Sequence, residues 1–505
     1  MSSGPEINNP AASDHIARHV WVVCCVVILG MIISILDTTI VNVALNTLSK
    51  DLHSPLSQVQ WVITGYLLAL AAVIPVTGWA ARRFGAKQVY MTSLVLFTAG
   101  SALCGLASSA NELIIFRVLQ GVGGGMIMPV GQMILADAAG PKRMGRVLAV
   151  TGVPTLLGPI LGPTIGGLLI DSTSWRWIFY VNLPIGILAT VLAVRMLPAP
   201  KRDAIAPKLD VTGLLMIATG LPLLTYGLAE IGITGGFSSA KVSLPIIAGI
   251  VLIGAFILHA LRVPAPLLDL KLFRRSTYAS AAAAMFFLGA ALFGVMILLP
   301  LYFQNVRGES VLDTGLLLGP QGIGMAMVMP VVGRMADRIG GGPLTIFGVI
   351  VASLAGIPFG LIGAHTSFVE LGFEQVIRGV GIGFAFMPAF IAAFAALERH
   401  ELPDAAPTLT VLMRVGGSIG TALLAVVLQR SLTSAGPHPS LAAAAAAYGT
   451  AFWWGVAIIA AAIVPCIILY RSERKARRVA AAKALDDLDR SAASPEPMPL
   501  AEALA

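Results

Sequence analysis

The sequence contains few charged residues for its length. Only 11% of its 505 residues are charged and 57% are hydrophobic, whereas a soluble domain carries about 25% charged residues. This shortage excludes an ordinary water-soluble protein and predicts a chain that folds in a lipid bilayer, with membrane lipid as a partner. The net charge of +8 therefore does not indicate nucleic-acid binding, and we expect no nucleic acid among the partners.

Sequence patterns that bind metals or nucleotides are also missing. The four cysteines lie in apolar stretches without CxxC or Cys/His spacing, which argues against zinc and iron–sulfur sites. The sequence has no GxxxxGK[ST] motif for ATP and no HExxH motif for zinc. The glycine-rich run at 121–125 lies inside an apolar stretch rather than after a strand. We therefore expect no cofactor, no metal site and no enzymatic activity.

Long uncharged stretches recur along the whole chain. A membrane-spanning helix needs about 20 mainly apolar residues, because about 30 Å of hydrocarbon is crossed at about 1.5 Å per residue. The first apolar run is too long for a secretory signal, so we expect it to stay in the protein. The predicted fold is an all-α integral membrane protein with fourteen transmembrane helices, called spans 1 to 14 in chain order. Their windows are 20–49, 54–81, 88–111, 118–136, 147–170, 177–194, 211–229, 242–261, 276–306, 314–333, 339–369, 379–397, 405–429 and 431–470.

Lysine and arginine are distributed unevenly between the two sets of loops. With the N-terminus in the cytoplasm, 25 of the 33 Lys and Arg residues fall on the cytoplasmic side, 5 fall outside and 3 lie within spans. Cytoplasmic loops of membrane proteins carry this kind of excess. The sequence therefore predicts that both termini are cytoplasmic in a multi-pass protein of the cytoplasmic (inner) membrane.

A short loop pattern occurs twice, eight spans apart. GWAARRFGAK (78–87) follows span 2, and GRMADRIGG (333–341) follows span 10. In each loop, glycine lets helix ends approach each other and basic residues lie where they can cap helix C-termini or meet lipid phosphate. We interpret them as gating loops with the residues Gly78, Arg82, Arg83, Gly85, Gly333, Asp337 and Arg338.

The repeated loop predicts two pseudo-symmetric six-helix bundles with two inserted helices between them, as in transporters with internal repeats. The predicted segments are a cytoplasmic tail (1–18), a first bundle (19–197), the inserted helices with their loops (198–276), a second bundle (277–470) and a basic, disordered cytoplasmic tail (471–505). The composition of the last segment cannot bury a core.

Asp37 is an acid in the middle of an otherwise apolar span. Placing an Asp at this depth costs about 2.5 to 3.5 kcal/mol on insertion scales, so a partner or a function has to compensate for it. Helical rise places Asp37 about 12 Å below the outer end of span 1 and Arg117 about 9 Å below the outer end of span 4, so the two share a depth. Burial favours the neutral carboxyl and a nearby cation favours the ionised one. A small helix movement would then switch proton binding; the alternative is a static ion pair.

Span 5 contains small residues at helical spacing. Gly158, Gly162 and Gly166 form one stripe, and Pro159 and Pro163 form a second stripe beside it. Such stripes allow close backbone contact and local bending, although they also occur as ordinary small-residue packing. With Gly167, these residues are our candidate antiporter motif.

The chain resembles the fourteen-helix drug:proton antiporter family of the major facilitator superfamily over nearly all of residues 19 to 470. Besides the two loops, four segments carry the resemblance: LDTTIVNVAL (36–45), FRVLQGVGGGMIMP (116–129), GVPTLLGPILGPTIGG (152–167) and SWRWIFYVNLPIG (174–186). Arg82 replaces the acid of the family's first loop motif, and Asn46 replaces a proline that often follows the first segment. The resemblance implies proton coupling through Asp37 and Arg117, an antiporter role for the span 5 pattern, and a periplasmic adaptor protein as a possible partner.

Several residues are candidates for a substrate cavity, because a site for varied compounds combines aromatic faces with a few polar groups. Trp and Tyr near helix ends also form the interfacial belt, which is the alternative for Tyr302. Arg378 is taken as the counterpart of Arg117 in the repeat, and Arg414 has an anion, a backbone carbonyl or lipid phosphate as alternative partners. The candidates are Asn42, Trp61, Thr64, Tyr66, Gln120, Tyr302, Gln304, Arg378 and Arg414.

These features together predict a proton-coupled antiporter that exports small lipophilic compounds by alternating access. It would work as a monomer, driven by the proton gradient. A proton-coupled uptake symporter on the same fold is one alternative, because fold does not fix direction. A membrane sensor or assembly component without transport activity is the other.

Overall fold

A computed structural model describes residues 18–139, 165–170, 172–198, 208–234, 239–395, 397–398, 401–436 and 438–493, with the single residues 147 and 162. These residues contain thirteen helices long and apolar enough to cross a membrane. They correspond to every predicted span except span 5, most of which lies outside the described residues. The prediction of an all-α integral membrane protein is confirmed.

The helices begin and end near the predicted windows, and several spans are divided by a short turn or a 3₁₀ segment. The bounds for spans 1 to 6, without span 5, are Arg18–Asp51, Leu56–Val59 with Trp61–Val73, Ile74–Val76 and Thr77–Phe84, Ala86–Leu106, Ala110–Ala139, and Trp177–Tyr180 with Asn182–Met196. Spans 7 and 8 are Val211–Thr234 and Ala240–Arg262, and a 3₁₀ segment, Leu270–Arg274, leads into the second bundle. Spans 9 to 14 are Ser276–Asn305, Val311–Ile339, Gly341–Leu354 with Ile357–Gly360, Phe368–Ala395, Leu402–Ser434, and Leu441–Ala461 with Ile463–Ala493.

Spans 4 and 12 are longer than their uncharged windows. The windows start at residues 118 and 379, but the helices begin at Ala110 and Phe368. The charges that ended the windows, Arg117 and Arg378, the charged residues just before these windows, lie inside the helices and are 1% and 6% exposed. A search for uncharged stretches therefore fails where a helix carries a buried charge.

The two bundles have matching helix contacts. In the first, span 4 packs on spans 1, 2 and 3, and span 6 packs on spans 1 and 3. In the second, span 12 packs on spans 9, 10 and 11, and span 14 packs on spans 9 and 11. The inserted spans 7 and 8 pack on each other, and span 7 also contacts spans 2 and 13. Spans 1, 3, 4 and 6 therefore enclose one interior, and spans 9, 11, 12 and 14 enclose its counterpart.

Spans 4 and 12 carry the same glycine pattern in the same packing role. RVLQGVGGG (117–125) in span 4 matches QVIRGVGIG (375–383) in span 12. A Cβ on Gly121 would overlap the backbone of span 2, and a Cβ on Gly379 would overlap that of span 10. Glycine lets the helices approach this closely. The shared contacts fix the register between the halves.

The chain after residue 470 is not a disordered tail throughout, as its composition suggested. The second helix of span 14 continues to Ala493, and residues 494–505 lie outside the described part. The carboxylate of Glu473 accepts hydrogen bonds from the backbone N–H groups of Gly341 (3.0 Å) and Gly342 (2.7 Å). It also pairs with Arg477 one turn later at 3.4 Å. The correction has a physical cause, because the carboxylate caps the N-terminus of span 11 and an i,i+4 ion pair supports the helix that carries it.

Removing the charge of Glu473 should loosen this junction. We expect Glu473→Gln to lower the free energy of unfolding by about 1–3 kcal/mol, the range for a lost charge-assisted hydrogen bond. The measurement is the apparent melting temperature of the protein purified in detergent. Lys475→Gln changes an exposed residue on the same helix and should leave the melting temperature unchanged. Equal shifts in both variants would contradict a cap.

Candidate functional site

Asp37 lies fully buried at the centre of a polar cluster in the first bundle. Its Oδ2 accepts a hydrogen bond from the Arg117 guanidinium at 2.7 Å, and its Oδ1 accepts from Gln120 Nε2 at 2.9 Å and Asn182 Nδ2 at 3.2 Å. Asp37, Gln120 and Asn182 are 0% exposed and Arg117 is 1% exposed. The three donors all stabilise the ionised carboxylate. The cluster joins spans 1, 4 and 6 through one titratable group.

Arg117 has partners besides the carboxylate. Its Nε donates to the carbonyl of Val62 in span 2 at 3.1 Å, and NH1 also donates to Gln120 Oε1 at 2.8 Å. The guanidinium carbon stands 4.0 Å from the centre of the Tyr66 ring, within the range of a cation–π contact. Arg117 therefore keeps hydrogen bonds and an aromatic contact when Asp37 is neutral.

Asn182 and Ser101 belong to this cluster although we did not select them from the sequence. Asn182 Nδ2 donates to Ser101 Oγ at 3.1 Å, and Ser101 Oγ donates to the carbonyl of Phe179 at 2.9 Å. Asn182 lies in the segment SWRWIFYVNLPIG (174–186), and an amide within an apolar span is the signal that could have found it. Ser101 gives no such signal, because serine is common in membrane helices.

The Asn182 side chain is only half satisfied. Its Oδ1 is buried and has no hydrogen-bond partner in the described part of the chain. Rotating the amide by half a turn exchanges the donor and the acceptor, and Oδ1 would then face the Asp37 carboxyl. A protonated Asp37 needs an acceptor of this kind. The site therefore holds a hydrogen-bonding partner for both protonation states of one acid.

The glycine stripe of span 5 packs against span 1 next to the acid. A Cβ on Gly162 would overlap the side chain of Thr39, and a Cβ on Gly166 would lie 2.8 Å from the Ile40 side chain. Gly167 has open space at its Cβ position. Gly158, Pro159 and Pro163 lie outside the described residues. The contact places two of the predicted stripe residues within one helical turn of Asp37.

The loop after span 2 contacts the second bundle directly. Arg82 forms an ion pair with Asp404, at the start of span 13, and both side chains are largely buried, with 13% and 15% of their surface exposed. A Cβ on Gly78 would overlap the carbonyl oxygen of Pro403. Gly85 ends this loop with φ 89°, a backbone that side chains rarely adopt. Arg83 points to the outside and is exposed.

The second loop faces the helix after span 14 instead of the opposite bundle. Gly340 ends it with φ 97°, like Gly85 in the first copy. The carbonyl of Arg338 accepts a hydrogen bond from Arg477 at 3.1 Å. Gly333 is buried and Asp337 is half-buried. The two copies therefore share a turn but have different partners, and the described contact between bundles at this end runs through the first copy.

The predicted cavity residues are dispersed. Gln120 and Tyr66 belong to the Asp37 cluster. The hydroxyl of Tyr302 donates to the carbonyl of Gly363 at 2.7 Å and the side chain is 0% exposed, so this tyrosine packs inside the second bundle and belongs neither to a cavity nor to an interfacial belt. The structure does not bring the remaining candidates together: Thr64 is half-buried, Gln304 is exposed, Trp61 stacks on Tyr226 of span 7 with ring centres 5.6 Å apart, and the Asn42 side chain lies outside the described residues.

Arg378 does not occupy the position of Arg117 in the repeat. The residue that does is Gln375, whose Nε2 donates to the carbonyl of Leu317 in span 10 at 2.8 Å, just as Arg117 Nε donates to Val62 in span 2. The glycine pattern places Arg378 at the position of Gln120 instead. Arginine and glutamine have exchanged places between the bundles. Arg414 in span 13 is half-buried, and its Nε has no hydrogen-bond partner in the described chain.

Two bundles with matching contacts, built from membrane-length helices around a buried acid, define a secondary transporter. The model of the Major Facilitator Superfamily matches residues 27–421, and the chain belongs to that superfamily. It is 42% identical over 406 residues to "Multidrug resistance protein B homolog" of Mycobacterium tuberculosis, covering 80% of this chain and 75% of that protein. It is 30% identical over 399 residues to "Multidrug export protein EmrB" of Haemophilus influenzae, covering 78% of each.

Solved structures show the same fold at low sequence identity. The proton:xylose symporter XylE aligns with a TM-score of 0.62 and 14% identity over 89% of this chain and 95% of that one. The human organic anion transporter MFSD10 aligns with a TM-score of 0.59 and 16% identity over 89% and 99%. The predicted resemblance to multidrug efflux transporters of the superfamily is confirmed by the relatives, and the structural likeness supports the fold alone.

Proposed function

We propose that this protein is a proton-coupled antiporter that exports small lipophilic compounds across the cytoplasmic membrane. The observation that carries the proposal is the buried Asp37 carboxylate, ion-paired to Arg117 and hydrogen-bonded to two amides. An ionisable group inside a membrane bundle marks a proton or substrate pathway by default. In the described residues, no other acid in the first bundle is as deeply buried.

Proton binding at Asp37 would change which helices are held together. In the ionised state, the carboxylate bridges spans 1, 4 and 6. Protonation removes the ion pair with Arg117, which retains Val62, Gln120 and Tyr66 as partners. Span 1 then loses its charge-based attachment to span 4. A proton arriving from outside would therefore release span 1 from span 4.

Span 5 offers a route from this release to a larger movement. Its glycines lie against Thr39 and Ile40, next to Asp37, so a shift of span 1 acts directly on span 5. Small-residue contacts let helices slide past each other with little steric resistance. In the proposed cycle, loss of the ion pair changes the contact between spans 1 and 5 and the two bundles rock.

The pair of Arg82 and Asp404 would close the cytoplasmic side of the cycle. The excess of basic residues in the loops at this end indicates that it faces the cytoplasm. The ion pair joins the two bundles there, so it has to break before a compound can enter from the cytoplasm. Charged groups at the edge of a bundle suit such a contact, because water can solvate them once they separate.

The names of the relatives support drug-like cargo, and the composition of the described interior supports lipophilic compounds, since its lining is mainly apolar. The protein is proposed to act as a monomer with protons and a small molecule as its ligands. A periplasmic adaptor is a further proposed partner that rests on the family resemblance.

One experiment tests direction and coupling together. The purified protein is reconstituted in vesicles with an imposed pH gradient, and a fluorescent dye substrate and the internal pH are followed at the same time. Opposed movement of dye and protons is the expected result. Parallel movement would show an uptake symporter, and no movement of a panel of lipophilic dyes with the gradient intact would favour a component without transport activity.

A further inference from the structure

The second bundle contains a buried cation without a counter-ion. Arg378 in span 12 is 6% exposed, and in the described chain it makes neither a hydrogen bond nor an ion pair. Its nearest recorded charge-related contact is the Phe359 ring, whose centre lies 5.8 Å away. An isolated charge in an apolar interior is strongly unfavourable unless something pairs with it.

Arg378 opens onto a cavity among spans 9, 11, 12 and 14. The cavity has about 20 Å³ of free space for a water-sized molecule, and its walls are mainly apolar. Such a volume suffices for one small guest. The lining includes Val295 of span 9, Gly356 of span 11 and Gly455 of span 14. Five N–H donors of one guanidinium therefore share a small space that supplies no acceptor side chain.

The cavity stands where the first bundle has its polar cluster. The loop copies that begin at Gly78 and Gly333 continue in register through spans 3 and 11, which matches Ser101 with Gly356. Gly356 lines the cavity, whereas Ser101 holds Asn182 in the first bundle. A hydroxyl has thus been replaced by empty space.

The same replacement occurs on the helix that carries Asn182. The Tyr180 ring of span 6 packs on Gly105, and the Trp453 ring of span 14 packs on the glycine that matches Gly105. Two residues further along, Asn182 corresponds to Gly455, which also lines the cavity. The amide that binds the carboxylate in the first bundle is therefore missing in the second.

The acid is missing as well. The loops after spans 1 and 9 each contain one residue with left-handed backbone, His53 (φ 48°) and Gly308 (φ 70°). Aligning these two residues, at the same offset as Gly78 and Gly333, places Leu292 at the position of Asp37. The second bundle has kept a buried arginine and lost the carboxylate that such a cation needs.

We propose that the cavity around Arg378 binds a small, singly charged anion, either chloride or the carboxylate of an organic compound. The guanidinium supplies the charge and the hydrogen-bond donors, and the apolar walls exclude water, which strengthens the attraction. The space admits a halide or a carboxylate head group and excludes bulkier ions. This binding site goes beyond the proposed proton coupling, because it requires neither a gradient nor transport.

Equilibrium binding of radiolabelled chloride to the purified protein in detergent tests the site, with radiolabelled acetate as a separate probe. Wild type should bind one of these probes saturably, at about one per chain. Saturation by chloride identifies an ion site, and saturation by acetate identifies a carboxylate site. Saturable binding of neither probe to the well-folded protein would overturn the proposal and leave the cavity to water.

Two sets of variants assign the binding to Arg378. Arg378→Gln should weaken binding at least tenfold, whereas Arg430→Gln, which changes an exposed arginine, should leave it unchanged. Val295→Asp places an acid of similar volume in the cavity wall as an internal counter-ion, so it should also abolish binding; Val295→Asn should retain it. If Arg378→Gln is lost to misfolding, the Val295 pair still decides. Binding retained in Val295→Asp would overturn the proposal.

Discussion

Asp37→Asn is expected to abolish proton-driven export while dye exchange down a gradient persists. Asparagine cannot release or take up a proton, so the site stays in its neutral state and span 1 is never fixed by an ion pair with span 4. In vesicles with an imposed pH gradient, accumulation of dye should fall to the level of protein-free vesicles. Exchange of dye between its inside and outside pools should continue, because it requires rocking of the bundles but no proton.

Loss of folding is the main competing explanation for an inactive Asp37→Asn variant. Breaking a buried ion pair by removing one partner costs about 3–5 kcal/mol, because the remaining charge is uncompensated. Asp37→Asn combined with Arg117→Gln removes both charges and should therefore fold more stably than the single variant, yet remain uncoupled. Asp51→Asn removes an exposed acid at the end of the same helix and should transport like wild type. Gradient-driven accumulation by the double variant would show that Asp37 is structural.

The sequence contained enough information to find the fold and the central pair. Span number follows from the length of uncharged stretches, since the bilayer sets a minimum length that chance rarely meets fourteen times. Asp37 and Arg117 are conspicuous because charges are rare inside spans, and helical rise fixes their depths. Depth and helix order together were sufficient to expect these two side chains to meet.

The neutral partners of the site could not be found in this way. Gln120 looked like a cavity residue, because an amide in a helix gives no sign of which neighbour it faces. Ser101 and Asn182 are joined to Asp37 only by the way spans 3 and 6 pack on span 1. Polar residues of this kind acquire a role from tertiary contacts, and rotation of a helix by a quarter turn would change it.

The misplaced counterpart of Arg378 has a similar cause. Matching residues by type paired one buried arginine with the other, but matching them by glycine contacts pairs Arg378 with Gln120. Close backbone approach constrains a helix more than the identity of one side chain, because a Cβ in the wrong place cannot be accommodated. The packing residues are therefore the safer guide to register in a repeat whose functional residues have diverged.

Reversing the charge of Arg82 should hold the cytoplasmic side of the protein open. Arg82→Asp would set a second acid beside Asp404, and repulsion would replace the attraction that joins the bundles. The population of the closed state should fall about 5- to 150-fold, which corresponds to a coupling of about 1–3 kcal/mol. Export should slow, because the cycle has to pass through this closed state to release compounds outside.

Labelling of a cysteine at the gate measures the opening directly. Thr408 lies one turn beyond Asp404 and is 4% exposed, so a Thr408→Cys probe should react slowly with a polar thiol reagent when Arg82 is present and quickly in the Arg82→Asp background. Arg83→Asp makes the same charge change on the exposed neighbour of Arg82 and should not increase labelling. The probe is compared among variants that all carry it.

Exchanging the two charges separates the ion pair from the residues themselves. Arg82→Asp with Asp404→Arg restores attraction between the bundles in the reverse order, and labelling and export should both return towards wild type. The position tolerates this because each side chain has some contact with water, 13% and 15% exposed, so neither charge depends on a single fixed donor geometry. Open-state labelling in the exchanged variant would mean that Arg82 and Asp404 act through other neighbours, and the closure would then rest on the contact of Gly78 with Pro403.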